Sequence, residues 1–154
     1  MAKFYYATPE LLKLAIDEGV KAQKEWEQVP FQERFDMWLK AADLMAGPWR
    51  QRLNATTMLG QAKTAIQAEI DASAELIDFF RFNAFYAKEL LKWQPISEDP
   101  KVTKNSLRYR GLEGFVAAVA PFNFTAIGGN LAFTPALMVG HVYQNFVLMK
   151  MLFY

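Results

Sequence analysis

The sequence predicts an α/β chain: an amino-terminal helical segment of about four helices over residues 1–100, then an incomplete Rossmann-like parallel sheet beginning in 101–154. Three observations carry this expectation. Between Thr8 and Lys92 apolar residues recur at helical spacing, with caps and breakers between the runs. After the polar loop "ISEDPKVTKN" the pattern changes to strand-length runs. All 16 acidic and 16 of the 17 basic residues lie at or before position 113, and the 36 residues from Gly114 to Met149 carry no charge. Parallel strands buried on both faces are uncharged in this way.

The elements follow in order. "ATPELLKLAIDEGV" opens a helix, with Thr8 as cap, Pro9 at the first helical position and Glu10 at the positive end of the dipole. Leu12, Ala15, Ile16, Gly19 and Val20 share a face, and Val29-Pro30 ends the run. "FQERFDMWLKAADLMAG" places Phe31, Phe35, Trp38, Leu39, Ala42 and Met45 together and stops at Gly47-Pro48. A third helix is expected over about 49–58, ending near Gly60. The fourth and longest covers about 64–92, its face drawn through Ile66, Glu69, Ile70, Ser73, Ile77, Phe80, Ala84, Ala87 and Leu91. "NSLRYR" then alternates as an edge strand would, "GFVAAVA" reads as a buried strand, and a short helix is expected from Gly128-Gly129 through Leu137. "NFVLM" reads as a second buried strand, so that strand, crossover helix and strand make one parallel unit needing further strands.

The totals exclude several classes. A chain of 154 residues fits one domain, able to bury about two thirds of its unfolded surface. The near balance of 17 basic and 16 acidic residues argues against a charge-based nucleic-acid or membrane-surface footprint. Without cysteine there is no disulfide, thiolate metal site or thiol nucleophile in this sequence, and one histidine, His141, does not build a metal site. The start "MAKFYYATPE" shows no signal or import sequence. The uncharged stretch raises a membrane reading, but Pro121, Asn123, Asn130, Pro135, His141, Gln144 and Asn145 break it into pieces too short to span.

The chemistry-bearing stretch is "FVAAVAPFNFTAIGGN", residues 115–130, where an apolar run stops at Pro121 and offers one amide between two phenylalanines. Read from the residues alone, Asn123 most simply hydrogen-bonds its own turn. Gly128-Gly129 lacks the spaced glycine fingerprint of a dinucleotide loop, and close backbone packing at a helix start explains the pair better.

This stretch resembles the beginning of the nucleotide-binding domain in the aldehyde dehydrogenase superfamily, where a Pro-aromatic-Asn-aromatic turn follows the first strand. "QAEIDASAELIDFFRFNA", "QPIS", "RYRGLEGFVAAVAPFNFTAIGGNLA" and "PALM" are similar to the branch that oxidises L-glutamate γ-semialdehyde to glutamate in proline breakdown. The resemblance runs from about Phe4 to Met138. It implies NAD as cofactor, a small aldehyde as substrate, and a mitochondrial matrix location despite the absent import signal; without that resemblance a cytoplasmic one is expected. It also implies that "NSLRYR" belongs to a strand connected with subunit association. The expected partners are copies of the chain or full-length subunits.

Residue roles are implied in the same way. The amide of Asn123 would donate to the aldehyde oxygen as it turns negative, a task suited to a neutral donor that does not compete for a proton. Phe124 would line the substrate channel, with core packing as the other reading. Ala120 stands where relatives carry Ser against the nicotinamide cofactor, and its effect depends on whether backbone or hydroxyl makes that contact. Glu75 matches an acid near the substrate end of the long helix, and a solvated helical carboxylate is the simpler account. Lys150 aligns with a lysine at the cofactor's adenosine ribose only if "VGHVY" is an insertion; otherwise it has no special role.

The resemblance also sets limits. The family's catalytic cysteine, its deacylating glutamate and most of its nucleotide fold have no counterpart here, so the isolated chain is expected to be inactive. The leading expectation is therefore the amino-terminal part of such a dehydrogenase, with a non-catalytic interaction module as the alternative. Open edges at 115–119 and 146–149 are expected to make it weakly stable alone.

Overall fold

A computed structural model describes residues 5–109 and 114–139. Helix α1 (Pro9–Trp26) begins as the sequence directs, with Pro9 in its first turn and the Thr8 hydroxyl oxygen accepting from the Leu11 amide at 3.2 Å. The hydrogen bond from its own backbone amide, and after it the one from the Thr8 hydroxyl, hold the Glu10 carboxyl below its usual range. Helices α2 (Phe31–Ala46) and α3 (Arg50–Gln61) follow. Gly60 lies inside α3, and the helix ends instead where Ala62 takes a left-handed φ of 53°.

The long fourth helix contains an irregularity that its residue spacing hides. α4 (Ala65–Ala68) starts from a capping box in which the Thr64 hydroxyl accepts from the Gln67 amide and the Gln67 side chain accepts from the Thr64 amide. It passes without a break through a π-helical stretch (Glu69–Ala74), closed by the Glu75 amide donating to the Ile70 carbonyl, into α5 (Glu75–Lys92). The wider turn rotates everything before it relative to α5. Ala68, Ala72 and Ser73 are buried, whereas Ile66 is 75% exposed and Ile70 49%. A face drawn at 3.6 residues per turn through both isoleucines is thus corrected by the π-turn.

The core lies where α2 crosses α5. Phe35, Trp38 and Ala42 meet Leu76, Ile77, Phe80, Ala84 and Ala87, with Trp38 stacked on Phe80 at 6.2 Å between ring centres. Small residues at 42, 84 and 87 let the backbones approach while the rings fill the remaining volume. α6 (Gly129–Val139) completes this core with Ala136 and Leu137, the latter wholly buried. The helix expected to lead from one strand to the next thus packs its Ala136 and Leu137 into the helical core.

Arg34 ties α1 to α2. It is only 3% exposed, and its Nη2 donates to the carbonyls of Trp26 and Glu27 at 3.0 Å each, closing the carboxyl end of α1. Its guanidinium lies over the rings of Phe31 and Trp26, at 4.9 and 5.6 Å from their centres. Burial lowers its pKa, and the Glu27 charge opposes that shift. The Trp26 indole in turn donates to the Ala136 carbonyl at 3.0 Å. The expected apolar face of α1 is less covered: Gly19 is buried, but Leu12, Ile16 and Val20 stay more than a third exposed.

No strand occurs among the described residues, where the expected parallel sheet would begin with 115–120. The physical reason is that a strand exists only through its ladder partner, and 115–120 has none among the described residues. These residues still show strand periodicity: Val116, Ala118 and Ala120 are half-buried, while Phe115, Ala117 and Val119 are exposed. One face of the segment is covered and the other open. "NSLRYR", through Tyr109, is held by side chains where a ladder was expected. The Leu107 amide donates to Gln94 Oε1 at 2.8 Å, the Asn105 amide to Ser97 Oγ at 2.9 Å, and the Tyr109 hydroxyl to the Leu90 carbonyl at 2.8 Å. The second expected strand, "NFVLM", lies outside the described residues.

Candidate functional site

The Pro121–Thr125 turn joins the extended segment to α6. Pro121 removes a donor and fixes its own φ, so the apolar run cannot continue as a ladder strand. Three bonds then wind the chain into α6: the amides of Gly129, Asn130 and Leu131 donate to the carbonyls of Ala126, Ile127 and Gly128 at 2.9, 3.1 and 3.2 Å. Gly128 is required by close approach. A Cβ built on it would lie 2.8 Å from the Ala120 Cβ, closer than such atoms pack. Asn83 on α5 fastens the helix by donating through Nδ2 to Asn130 Oδ1 and Thr134 Oγ1, both at 2.8 Å.

Asn123 sits in the middle of this turn, exposed, and its carboxamide makes no hydrogen bond among the described residues. The turn's geometry therefore does not depend on that amide, contrary to the simplest reading of an Asn in a turn. A side chain in this position keeps both N–H groups free for an incoming oxygen. Phe124 is half-buried beneath the Lys63 ammonium, which lies 4.2 Å from its ring centre. Phe122 is exposed, but its carbonyl accepts from Gln61 Nε2 at 3.5 Å.

The other candidates are placed less closely. Ala120 is half-buried against Gly128. Glu75 is exposed at the start of α5, and no hydrogen bond or ion pair joins it to Asn123 or Phe124 among the described residues. Lys150 lies outside the described residues. The fit to NAD can be tested on the remaining atoms. Ala120 offers a methyl and backbone groups, and nothing else described on this segment supplies a ribose or phosphate donor. The described residues by themselves do not make a dinucleotide site. Among them there is no group of metal-ligating side chains, and no helix is long and apolar enough to cross a membrane.

Sequence spacing missed Gln61, Lys63 and Asp71. Gln61 reaches the turn twice, donating to the Phe122 carbonyl and accepting from the Thr125 hydroxyl. Lys63 is paired with Asp71 of the π-helical stretch, both side chains less than a quarter exposed. A neighbouring polar cluster anchors α3: Arg50 and Asn54 donate to the two oxygens of Glu69, and Ser73 Oγ donates to Asn54 Oδ1 at 2.5 Å. These bonds hold the Glu69 carboxyl below its usual range, the Arg50 bond contributing most. Nothing in the local sequence "GQAKTA" signals contact with a turn some sixty residues later.

Comparison with known proteins gives the family of the chain as a whole. The human protein "Delta-1-pyrroline-5-carboxylate dehydrogenase, mitochondrial" is 62% identical over 138 residues, which cover 90% of this chain and 24% of that protein. The Agaricus bisporus protein "Delta-1-pyrroline-5-carboxylate dehydrogenase" is 48% identical across 99% of the chain and 29% of its own length. The crystal structure of the Mycobacterium tuberculosis Delta-pyrroline-5-carboxylate dehydrogenase bound with NAD superposes with a TM-score of 0.79 at 51% identity, over 84% of this chain and 24% of that one. The chain thus spans about a quarter of the length of these relatives. Residues 1–151 match the aldehyde dehydrogenase family. With nearly its whole length matched, and its helices superposing on a solved member, the chain belongs to the aldehyde dehydrogenase family.

Proposed function

We propose that this chain is the amino-terminal part of an NAD-dependent dehydrogenase that oxidises L-glutamate γ-semialdehyde, the open form of pyrroline-5-carboxylate, to glutamate in proline catabolism. The carrying observation is the exposed, unbonded carboxamide of Asn123 on a turn whose shape other residues maintain. It acts as the oxyanion donor. Its N–H groups lie ready for the aldehyde oxygen, whose charge grows as a thiolate adds to the carbon, and a donor fixed in advance stabilises that charge without reorganising. Phe124 faces the aliphatic part of the substrate.

These 154 residues hold no cysteine, so the nucleophile, like most of the cofactor site, is supplied from outside them. NAD supplies the hydride acceptor; aldehyde, NAD and water give acid and NADH. Ala120 contributes backbone and an apolar surface near the cofactor, Lys150 a cation, and Glu75 a carboxylate at the substrate end. The mitochondrial names of the relatives support a matrix location. The two segments, 1–100 and 101–154, serve as helical lead-in and start of the nucleotide-binding domain.

The test supplies the missing part. The chain is combined with the remaining three quarters of a pyrroline-5-carboxylate dehydrogenase, and NADH formation is followed with pyrroline-5-carboxylate. Turnover is expected from the combination and not from the chain alone, and Asn123→Ala should lower kcat about 10²- to 10³-fold. An undiminished kcat would remove the oxyanion assignment. The open face of Phe115 and Val119 favours a second reading, in which the chain pairs with full-length subunits without catalysis. Co-purification with such subunits, without any turnover in the combination, would select it.

A further inference from the structure

The turn that carries Asn123 is braced from one side by a set of residues with no assigned role. Gln61 is the last residue of α3, and its side chain both donates to the Phe122 carbonyl and accepts from the Thr125 hydroxyl, so one amide spans the turn on either side of Asn123. Two residues on, Lys63 lies over the Phe124 ring while its charge is answered by Asp71. Between them Ala62 adopts a left-handed backbone, which a non-glycine residue holds only when its surroundings impose it.

A hydrogen bond donated, one accepted and a cation–ring contact therefore reach Phe122, Thr125 and Phe124 from the end of α3 and the residues after it, far away in the chain. None of them occupies the Asn123 carboxamide. That combination, a firmly held backbone under an uncommitted side chain, is what preorganised donation requires.

We propose that Gln61, Lys63 and Asp71 form a positioning bracket for the Asn123 turn. Lys63 acts through the Phe124 ring, with Asp71 fixing the ammonium above that ring and preventing it from pairing with an incoming anion. Gln61 sets the height of the turn through one bond to the Phe122 carbonyl and one from the Thr125 hydroxyl. None of the three touches the reacting atoms. The relevance of the bracket to catalysis rests on the oxyanion reading of Asn123; its mechanical role does not.

The experiment is ¹⁵N relaxation on the full chain, comparing the native sequence with Lys63→Met, Lys63→Arg, Gln61→Ala, Phe124→Leu and the Lys63→Met/Phe124→Leu pair. In the native chain, order parameters of 122–125 should approach those of α5, about 0.85. Lys63→Met and Gln61→Ala should each drop them toward about 0.6 or lower, with α5 unchanged. Lys63→Arg, which keeps charge and ring contact, should restore them. The double variant should be no looser than Phe124→Leu alone, since both changes break one contact. A native turn already as mobile as a free loop, an unaffected turn in Lys63→Met, or additive losses in the pair would each overturn the bracket. A rigid turn together with a dispensable Asn123 would leave the bracket intact and remove only the catalytic reading.

Discussion

Gly128 gives a sharp test of how the Asn123 turn is joined to the helices, because its neighbour Gly129 is a built-in control. Replacing Gly128 with Ala places a methyl 2.8 Å from the Ala120 Cβ, 3.5 Å from its Cα and 3.8 Å from Pro121 Cδ. Carbon atoms pack at about 3.5–4.0 Å, so the first contact is short by about 1 Å. A Cβ has no torsion by which to withdraw, so backbone must move. α6 is held by Leu137 in the core and by Asn83, and the displacement therefore falls on the extended segment before Pro121.

Overpacking of this kind costs about 1–3 kcal/mol. Neither glycine has a positive φ, so an L side chain adds no backbone strain at either site. At Gly129 the nearest atom to an added Cβ is Phe133 Cε2 at 4.0 Å, an ordinary contact, and the position is helical. Gly129→Ala should be neutral or stabilising by up to about 1 kcal/mol. In urea unfolding followed by far-UV circular dichroism, an m of about 2 kcal/mol/M turns a 2 kcal/mol loss into a midpoint about 1 M lower. Gly128→Ala should fall by that order while Gly129→Ala holds or rises, and Ala120→Gly should recover most of the loss in the Gly128→Ala background. Equal shifts at the two glycines, or no recovery from Ala120→Gly, would refute the close packing of turn and helix.

Two further outcomes follow from the helices. Arg34→Ala should cost about 3 kcal/mol by leaving the Trp26 and Glu27 carbonyls without their charged donor, and Arg34→Lys should recover less than half of it, because an ammonium lacks the planar fork and stacking surface; urea midpoints measure both. Glu69, whose carboxyl is lowered by Arg50 and Asn54, contributes stability that is complete above the ordinary glutamate value of about 4.3 and is lost as pH falls below it. The gap between native and Glu69→Gln chains should be about 1 kcal/mol at neutral pH, kept small by a pair more than a third exposed, and should close in acid; a gap independent of pH would contradict this.

Sequence spacing alone established the positions of α1, α2, α6 and the continuous run from α4 through α5 to within a few residues, because caps, breakers and amphipathic period are local properties of the chain. Thr8, Pro9, the Gly47-Pro48 stop and the Gly128-Gly129 start act within a few residues of themselves. The same locality picked out Asn123 as an amide isolated between two aromatic residues. Tertiary structure decided what has no local signature. The π-turn at 69–74 moved Ile66 and Ile70 off the core face, and α6 was found to pack Ala136 and Leu137 into the helical core. Gln61 and Lys63 reached the turn only because α3 and the π-helical stretch meet, through the cluster of Arg50, Asn54, Glu69 and Ser73. The strand character of 115–120 survives as alternating exposure, yet no ladder forms among the described residues, since backbone pairing belongs to two segments at once and cannot be written into either alone.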